Sequence, residues 1–505
     1  MGTRTWILVL SILSQLGLSL APARVLAASP EQGTVKSEHD TIGAAEDASA
    51  STKHTQHPDA QWYGDADFGL FIHWGICSVR SMNISWPMIP GRVLGKQKLD
   101  DNELARVVRE CDWNLNGKPN EITPNEYWSM AKEFNPQDYH PDHWLAAAKA
   151  AGFTYAVLTC RHHEGFSMWP SKFDPDFNTS TWMGGRDLVK EYVEACRKNG
   201  IKVGLYYSPP DWHFDRDYMS FVYGGAYKMN LGLPKVGPDL KPRTTMHTKD
   251  EIEKHQAEYA ALVKGQIEEL LTKYGKIDLI WFDGKPAVPN ATNIISQERI
   301  RQLQPGIVIN PRLHGHGDYN TYERNLPKSK PGPGWHEFCD PWTGIWSHTD
   351  KPFRSNGFVL GELARSRAWD INFLLDVGPM ASGELCEDAY KNMAVVAEWM
   401  RTNGESIKGA KSLPDGETAS VPATSKGSTR YLFAIPEYEG GLLGANQQPA
   451  KDETLTFKGI PKAANVKLLG DGQALDHSLA DGTLTVQLPA SRRTKLVDVV
   501  AVELQ

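Results

Sequence analysis

Four charged groups in this chain have the types and order needed for acid–base or nucleophilic chemistry: Asp283 at the close of KIDLIWFDG, Arg312 at the close of GIVINPR, and Glu323 and Glu337 after it. Asp283 follows Leu279, Ile280, Trp281 and Phe282 and precedes a glycine, so it stands where a buried strand opens into a loop. An Asp-Gly pair there can simply cap a turn. Trp281, two residues earlier and so on the same face of the strand, favours a working pocket instead. A nucleophilic carboxylate needs donors that keep it ionised and a second carboxyl as acid. Arg312, His73, His162 and His163 are candidate donors, and Glu323 and Glu337 are candidate acids on a long segment expected to fold as a loop over the mouth of the site.

Positioning such groups requires elements that converge. Short apolar runs at 68–75, 154–163, 201–208, 277–284, 306–312 and 371–379 read as strands, and helix-like stretches such as GRDLVKEYVEACRKNG, each closing on glycine, lie between them. Strand after strand ends on a polar or aromatic group: His73 and Trp74, His162 and His163, Tyr207, Asp283, Arg312 and Asp376. In a (β/α)8 TIM-like barrel these positions ring one pocket, whereas an open sheet converges only a few of them. The expectation is an α/β barrel over residues 58–408, with six or seven of its eight strands readable. After 409 the text turns to short alternating runs with turn residues between them, the pattern of an antiparallel β-sandwich reaching to 505.

The remaining features narrow the class. Residues 1–28 place an arginine before an apolar run ending on small residues, as a secretory signal peptide does, which predicts export to a periplasm or the medium, or to a lysosome in a eukaryote. Residues 29–57 are polar without periodicity and read as a disordered leader. A net charge of −7 without a basic cluster argues against nucleic acid and anionic membrane as partners. No run after the signal is long enough to span a bilayer. Six dispersed cysteines, with no CxxC, leave zinc ribbons out and disulfide pairing unread. His162-His163-Glu164 and His314-Gly-His316 have metal-ligand chemistry, but loose spacing and the lack of matching further ligands favour no metal and no cofactor. Sixteen tryptophans, many beside polar strand ends, suit stacking against the CH faces of sugars.

With those residues assembled, the chain resembles the alpha-L-fucosidases of glycoside hydrolase family 29. The strings WYGDADFGLFIHWG, HHEGF, GLYYSPPDW and IDLIWFDG carry the resemblance, which covers about residues 60–405. It implies a retaining exo-hydrolase that removes terminal alpha-L-fucosyl units from oligosaccharides or glycoconjugates. Asp283 would be its nucleophile, with His73, Trp74, His162, His163, Tyr207, Trp281 and Arg312 about the sugar. The string GDYNTYERNLP makes Glu323 the preferred acid/base, since a retaining pair stands roughly 5 to 5.5 Å apart; WHEFC makes Glu337 the runner-up. Two departures fall where recognition is set: Ile84-Ser85-Trp86-Pro87 replaces a Glu-Trp pair, and Asp376 replaces an asparagine. They keep open a relative acting on a different or sulfated sugar, beside a metal-dependent barrel hydrolase and a non-catalytic sugar-binding barrel.

Overall fold

The computed structural model describes residues 39, 42–44, 54–89, 122–221, 236–243, 246–285, 294–439, 444–460 and 462–505. The signal-like residues 1–28 lie outside them. Eight strands make one sheet: β1 (Phe68–Ile72), β2 (Tyr155–Arg161), β3 (Lys202–Tyr207), β4 (Leu279–Phe282), β5 (Val308–Ile309), β6 (Tyr319–Glu323), β7 (Trp335–Pro341) and β8 (Ile371–Asp376). They lie in the order β5-β4-β3-β2-β1-β8-β7-β6, and every pair is parallel. This is the expected barrel, nearly closed. Between β5 and β6, at the seam, the side chain of Asp318 takes the place of a ladder. Ile309 N–H donates to Asp318 Oδ2 at 2.8 Å, and Asp318 N–H donates to the Ile309 carbonyl at 2.8 Å.

The strands β6 and β7 were not read from the sequence; their residues had been expected to form a loop. The reason is their composition. Glu337, His336, Asp340 and Thr321 are buried within them, so the alternation of apolar and polar residues that marks a strand is absent. Both candidate acids therefore sit on the barrel wall, which holds a carboxyl more rigidly than a loop would.

Helices cover the outer face, among them α1 (Pro141–Ala150), α2 (Leu188–Lys198), α3 (Lys249–Lys273), α4 (Gln297–Leu303), α5 (Asn356–Arg367) and α6 (Glu387–Asn403). In α2, Leu188, Val189, Tyr192, Val193 and Cys196 are buried, the helical spacing of a single apolar stripe. A capping box between Thr248 and Glu251 starts α3 by satisfying end N–H groups. Gly152, Gly200 and Gly275 follow α1, α2 and α3 with positive φ, as the sequence implied.

Beyond the barrel, a five-stranded antiparallel sheet and a four-stranded one, running from Lys411–Ser412 to Asp498–Leu504, enclose a second apolar cluster that includes Leu432, Phe457, Val486 and Val500. The larger sheet also packs on the barrel side through Tyr431, Phe433 and Val499. Trp399 of α6 donates its indole N–H to the Val497 carbonyl at 2.7 Å.

The segment expected to be an unordered leader includes residues that dock on the barrel. Thr55 N–H donates to Asp318 Oδ1 at 2.7 Å, and His54 stacks on Trp335 at 3.8 Å between ring centroids. Ile42 is buried, and its carbonyl accepts the Lys285 N–H at 3.0 Å. Cys77, Cys160, Cys196, Cys339 and Cys386 are free thiols. Among the described residues no helix is long and apolar enough to cross a membrane.

Candidate active site

The run Leu279–Phe282 is wholly buried, so the chain can turn polar only where β4 ends, at Asp283. Its backbone there is held from both sides. Asp283 N–H donates to the Tyr207 carbonyl at 3.1 Å. The Asn310 side chain pairs with both Phe282 N–H and Phe282 carbonyl at 2.8 Å, extending β4–β5 pairing past the last ladder bond.

The Asp283 carboxyl receives Arg312 Nη1 on Oδ1 at 2.7 Å and the Tyr206 hydroxyl on Oδ2 at 2.6 Å. His163 Nε2 lies 3.6 Å from Oδ2. Two donors thus converge on the one carboxyl. Burial, then Asp283, push the Tyr206 phenol well above its ordinary range, so it stays a donor.

Arg312 is the hinge of the arrangement. Its guanidinium lies over the Trp281 ring at 4.6 Å, and its other nitrogen, Nη2, donates to Glu323 Oε2 at 2.6 Å. One planar fork thus holds the carboxyls of β4 and β6 together. Burial opposes its charge, but Glu323 and Asp283 overcome that and raise the guanidinium pKa well above the usual value. For Glu323 burial likewise acts to raise the pKa, yet Arg312, then His39, outweigh it and hold the carboxyl well below the usual carboxylate range. His39 Nε2 sits 2.8 Å from the same Oε2.

Glu337 lies deeper. It is fully buried inside the barrel, where Oε2 accepts the hydroxyls of Tyr63 at 2.8 Å and Tyr155 at 3.0 Å, and Oε1 accepts Trp281 Nε1 at 2.8 Å. Burial raises its pKa, while those donors pull the other way. Its ties run to the underside of Trp281 rather than to the pocket. Glu337→Ala leaves the three donors unpaired, and at about 1 to 3 kcal/mol for each group it costs several kcal/mol of stability, read as a lowered urea midpoint.

The histidines divide by role. His73 and His162 line the pocket with Asp283, Arg312, Glu323 and Trp281, around roughly 350 Å³ of empty space, mouth included. Asp376 Oδ1 meets His73 Nδ1 at 2.7 Å, leaving Nε2 for the pocket. Ser85 Oγ lies 2.5 Å from His162 Nδ1 and 2.5 Å from Glu164 Oε2, so the serine links the second histidine to a carboxylate. Both sequence departures thus act through a histidine. On a continuing strand only one of two successive histidines faces inward. Here β2 ends at Arg161 after an irregularity between Thr159 and Arg161, and both rings reach the site. His163 Nδ1 is 2.6 Å from Ser208 Oγ, and burial holds this ring neutral.

Two residues expected about the sugar lie elsewhere. Tyr207 faces the helical layer, its hydroxyl donating to Gln266 of α3 at 3.0 Å and its ring under Arg161 at 4.4 Å. Its neighbour Tyr206 is the inward one, stacked between His162 and Trp281. Trp74 stacks on Tyr139 at 4.7 Å and donates to the Met380 carbonyl at 2.9 Å, outside the pocket lining. Residues not singled out from the sequence also line the pocket, Phe71, Ile42 and His39 among them, beside Trp86 and Trp346 of the tryptophans read as suited to stacking. Alternation from a known inward residue would have found Phe71, two before His73; nothing in the text points to His39.

Potential metal ligands gather once among the described residues, at His162, His163 and Asp283, whose ligand atoms lie within 4.8 Å of one another. Asp283 there already bears the Arg312 cation at 2.7 Å, which a metal ion would have to oppose.

A family model of alpha-L-fucosidases matches residues 36–405. This chain belongs to the alpha-L-fucosidase family. It is 28% identical to the tissue alpha-L-fucosidase of Homo sapiens over 423 residues, 80% of this chain and 81% of that one. Among solved structures, alpha-L-fucosidase isoenzyme 1 from Paenibacillus thiaminolyticus is similar, with TM-score 0.66 and 27% identity over 89% of this chain and 99% of that one. A family 29 alpha-L-fucosidase from Bacteroides thetaiotaomicron, trapped as a covalent intermediate with 2-fluoro-fucosyl fluoride in a glutamate-to-glutamine variant, shares the fold at TM-score 0.66 and 20% identity over 91% of this chain and 99% of that one. The family's glycosidase class agrees with a pocket of paired carboxyls, stacking tryptophans and histidine donors.

Proposed function

We propose that this fucosidase-family enzyme removes terminal alpha-L-fucosyl units from oligosaccharides or glycoconjugates by a retaining double displacement. The observation that carries the reading is the Arg312 fork, which joins Asp283 and Glu323 at the edge of one small pocket. Retaining glycosidases need their two carboxyls close, roughly 5 to 5.5 Å apart, and one guanidinium here contacts both. Asp283, held in place by Arg312 and Tyr206, attacks the anomeric carbon. Glu323, which Arg312 and His39 favour as a carboxylate, must first take up a proton; it gives that proton to the departing glycosidic oxygen as the bond to the leaving group breaks. The same carboxylate then takes a proton from water, whose oxygen displaces Asp283 and releases fucose with retained configuration.

His73 and His162 are assigned to sugar hydroxyls, with ring orientations fixed by Asp376 and Ser85. Trp281 is assigned to the apolar sugar face and, through its N–H, to Glu337. The first 28 residues support export, and we take residue 409 as the division between barrel and sandwich.

The purified protein is expected to hydrolyse an aryl alpha-L-fucoside and none of the other glycosides in an aryl panel at comparable rate. Proton NMR should give the alpha anomer of fucose first, and a chelator should leave the rate unchanged. Release of another sugar, or of the beta anomer first, would refute the reading; loss on chelation that zinc restores would favour the metal cluster instead.

A further inference from the structure

The acid/base candidate has a partner from outside the barrel. His39 belongs to the polar N-terminal stretch, yet its Nε2 is 2.8 Å from Glu323 Oε2, on the oxygen that Arg312 also holds. Both side chains are mostly out of solvent, at 17% exposure for His39 and 7% for Glu323.

The residues that follow show how the histidine is held. Ile42 is 1% exposed, and its carbonyl accepts Lys285 N–H at 3.0 Å. Ile42 meets the chain one residue past Asp283, at Gly284. This glycine has φ +90°, and a Cβ there would lie 2.6 Å from the Ile42 carbonyl oxygen. The turn after the β4 carboxylate is therefore shaped to receive the N-terminal segment, and His39 and Ile42 both line the pocket.

We propose that His39 is a positioning residue: it holds Glu323 by Oε2, leaves Oε1 to face the leaving group, and sets the pH range in which Glu323 can serve as acid. This rests on Glu323 being the acid/base. An N–H donated to a carboxylate favours the ionised form and so lowers its pKa. The general acid must be protonated for the first step, and the alkaline limb of kcat/KM reports its ionisation. The other charged or titratable groups about Glu323 are Arg312 after β5, Arg324 next along the chain after β6, His73 after β1, Cys339 on β7, and Asp283 through Arg312. His39 alone among them comes from beyond the barrel and can be altered without touching its wall.

The test is the pH dependence of kcat/KM on an aryl alpha-L-fucoside with a poor leaving group, for the parent enzyme, His39→Ala, His39→Gln and Glu323→Gln. In His39→Ala the alkaline limb should move up, by on the order of one pH unit, because a donor to the ionised carboxyl is lost. His39→Gln keeps an N–H donor and should lie between parent and His39→Ala. An unmoved limb in His39→Ala, with the limb lost in Glu323→Gln, overturns the role of His39. A limb that persists in Glu323→Gln shows instead that Glu323 is not the acid, and the proposal falls with that reading.

Discussion

Asp283→Ala is expected to lower turnover of an aryl alpha-L-fucoside at least about 10³-fold, within the range seen when a covalent nucleophile is removed. The substitution empties the space between Arg312, Tyr206 and His163 while leaving their backbone ties in place, because Asp283 is held through its own N–H and its neighbour through Asn310. A small anion should fit where the carboxylate was. Added azide should restore part of the rate, with a beta-fucosyl azide as product, since it attacks from the face Asp283 used. An Asp283→Ala enzyme with near-parental activity and no azide dependence would exclude Asp283 as the nucleophile.

The second large effect separates two substrates rather than two enzymes. Glu323→Gln should slow hydrolysis of a fucosylated oligosaccharide about 10²- to 10⁴-fold, the usual contribution of general acid catalysis. On an aryl fucoside whose phenolate departs unaided, bond cleavage should be nearly spared. Water then lacks its base, so the fucosyl-enzyme should accumulate as a burst, and azide should speed its release. Equal losses on both substrates would move the acid role to Glu337. The structure gives a physical ground for preferring Glu323: its carboxyl shares Arg312 with Asp283, whereas the described hydrogen bonds of Glu337 go to Tyr63, Tyr155 and Trp281.

Much of the barrel and its polar rim was legible because an apolar run that ends abruptly on a charged residue says both where a strand stops and what it presents. Asp283 and Arg312 are of that kind. The strands carrying Glu323 and Glu337 were not legible as strands, because the barrel interior beside them is built from tyrosine hydroxyls, an indole and a carboxylate, and polar interiors leave no period-2 trace. Between Tyr206 and Tyr207 the text is silent: which one faces inward depends on the register of β3 against β4, where Tyr206 stands opposite Trp281. His39 was read as part of a leader because composition describes a segment's own capacity to fold. It says nothing of a groove waiting elsewhere in the chain, such as the one at Gly284.

The seam closed by Asp318 has a consequence for the chemistry. Every other neighbouring pair of barrel strands is tied by a parallel ladder, but β5, which leads to Arg312, and β6, which ends at Glu323, are not. Across this seam the two reacting carboxyls are joined by the Arg312 fork, beside the Asp318 contacts, and not by a strand ladder. When Glu323 carries a proton, its attraction to Arg312 weakens; when it gives that proton up, the fork tightens. The hold between nucleophile and acid is thus tied to the charge on Glu323, while the other strands are held by their ladders.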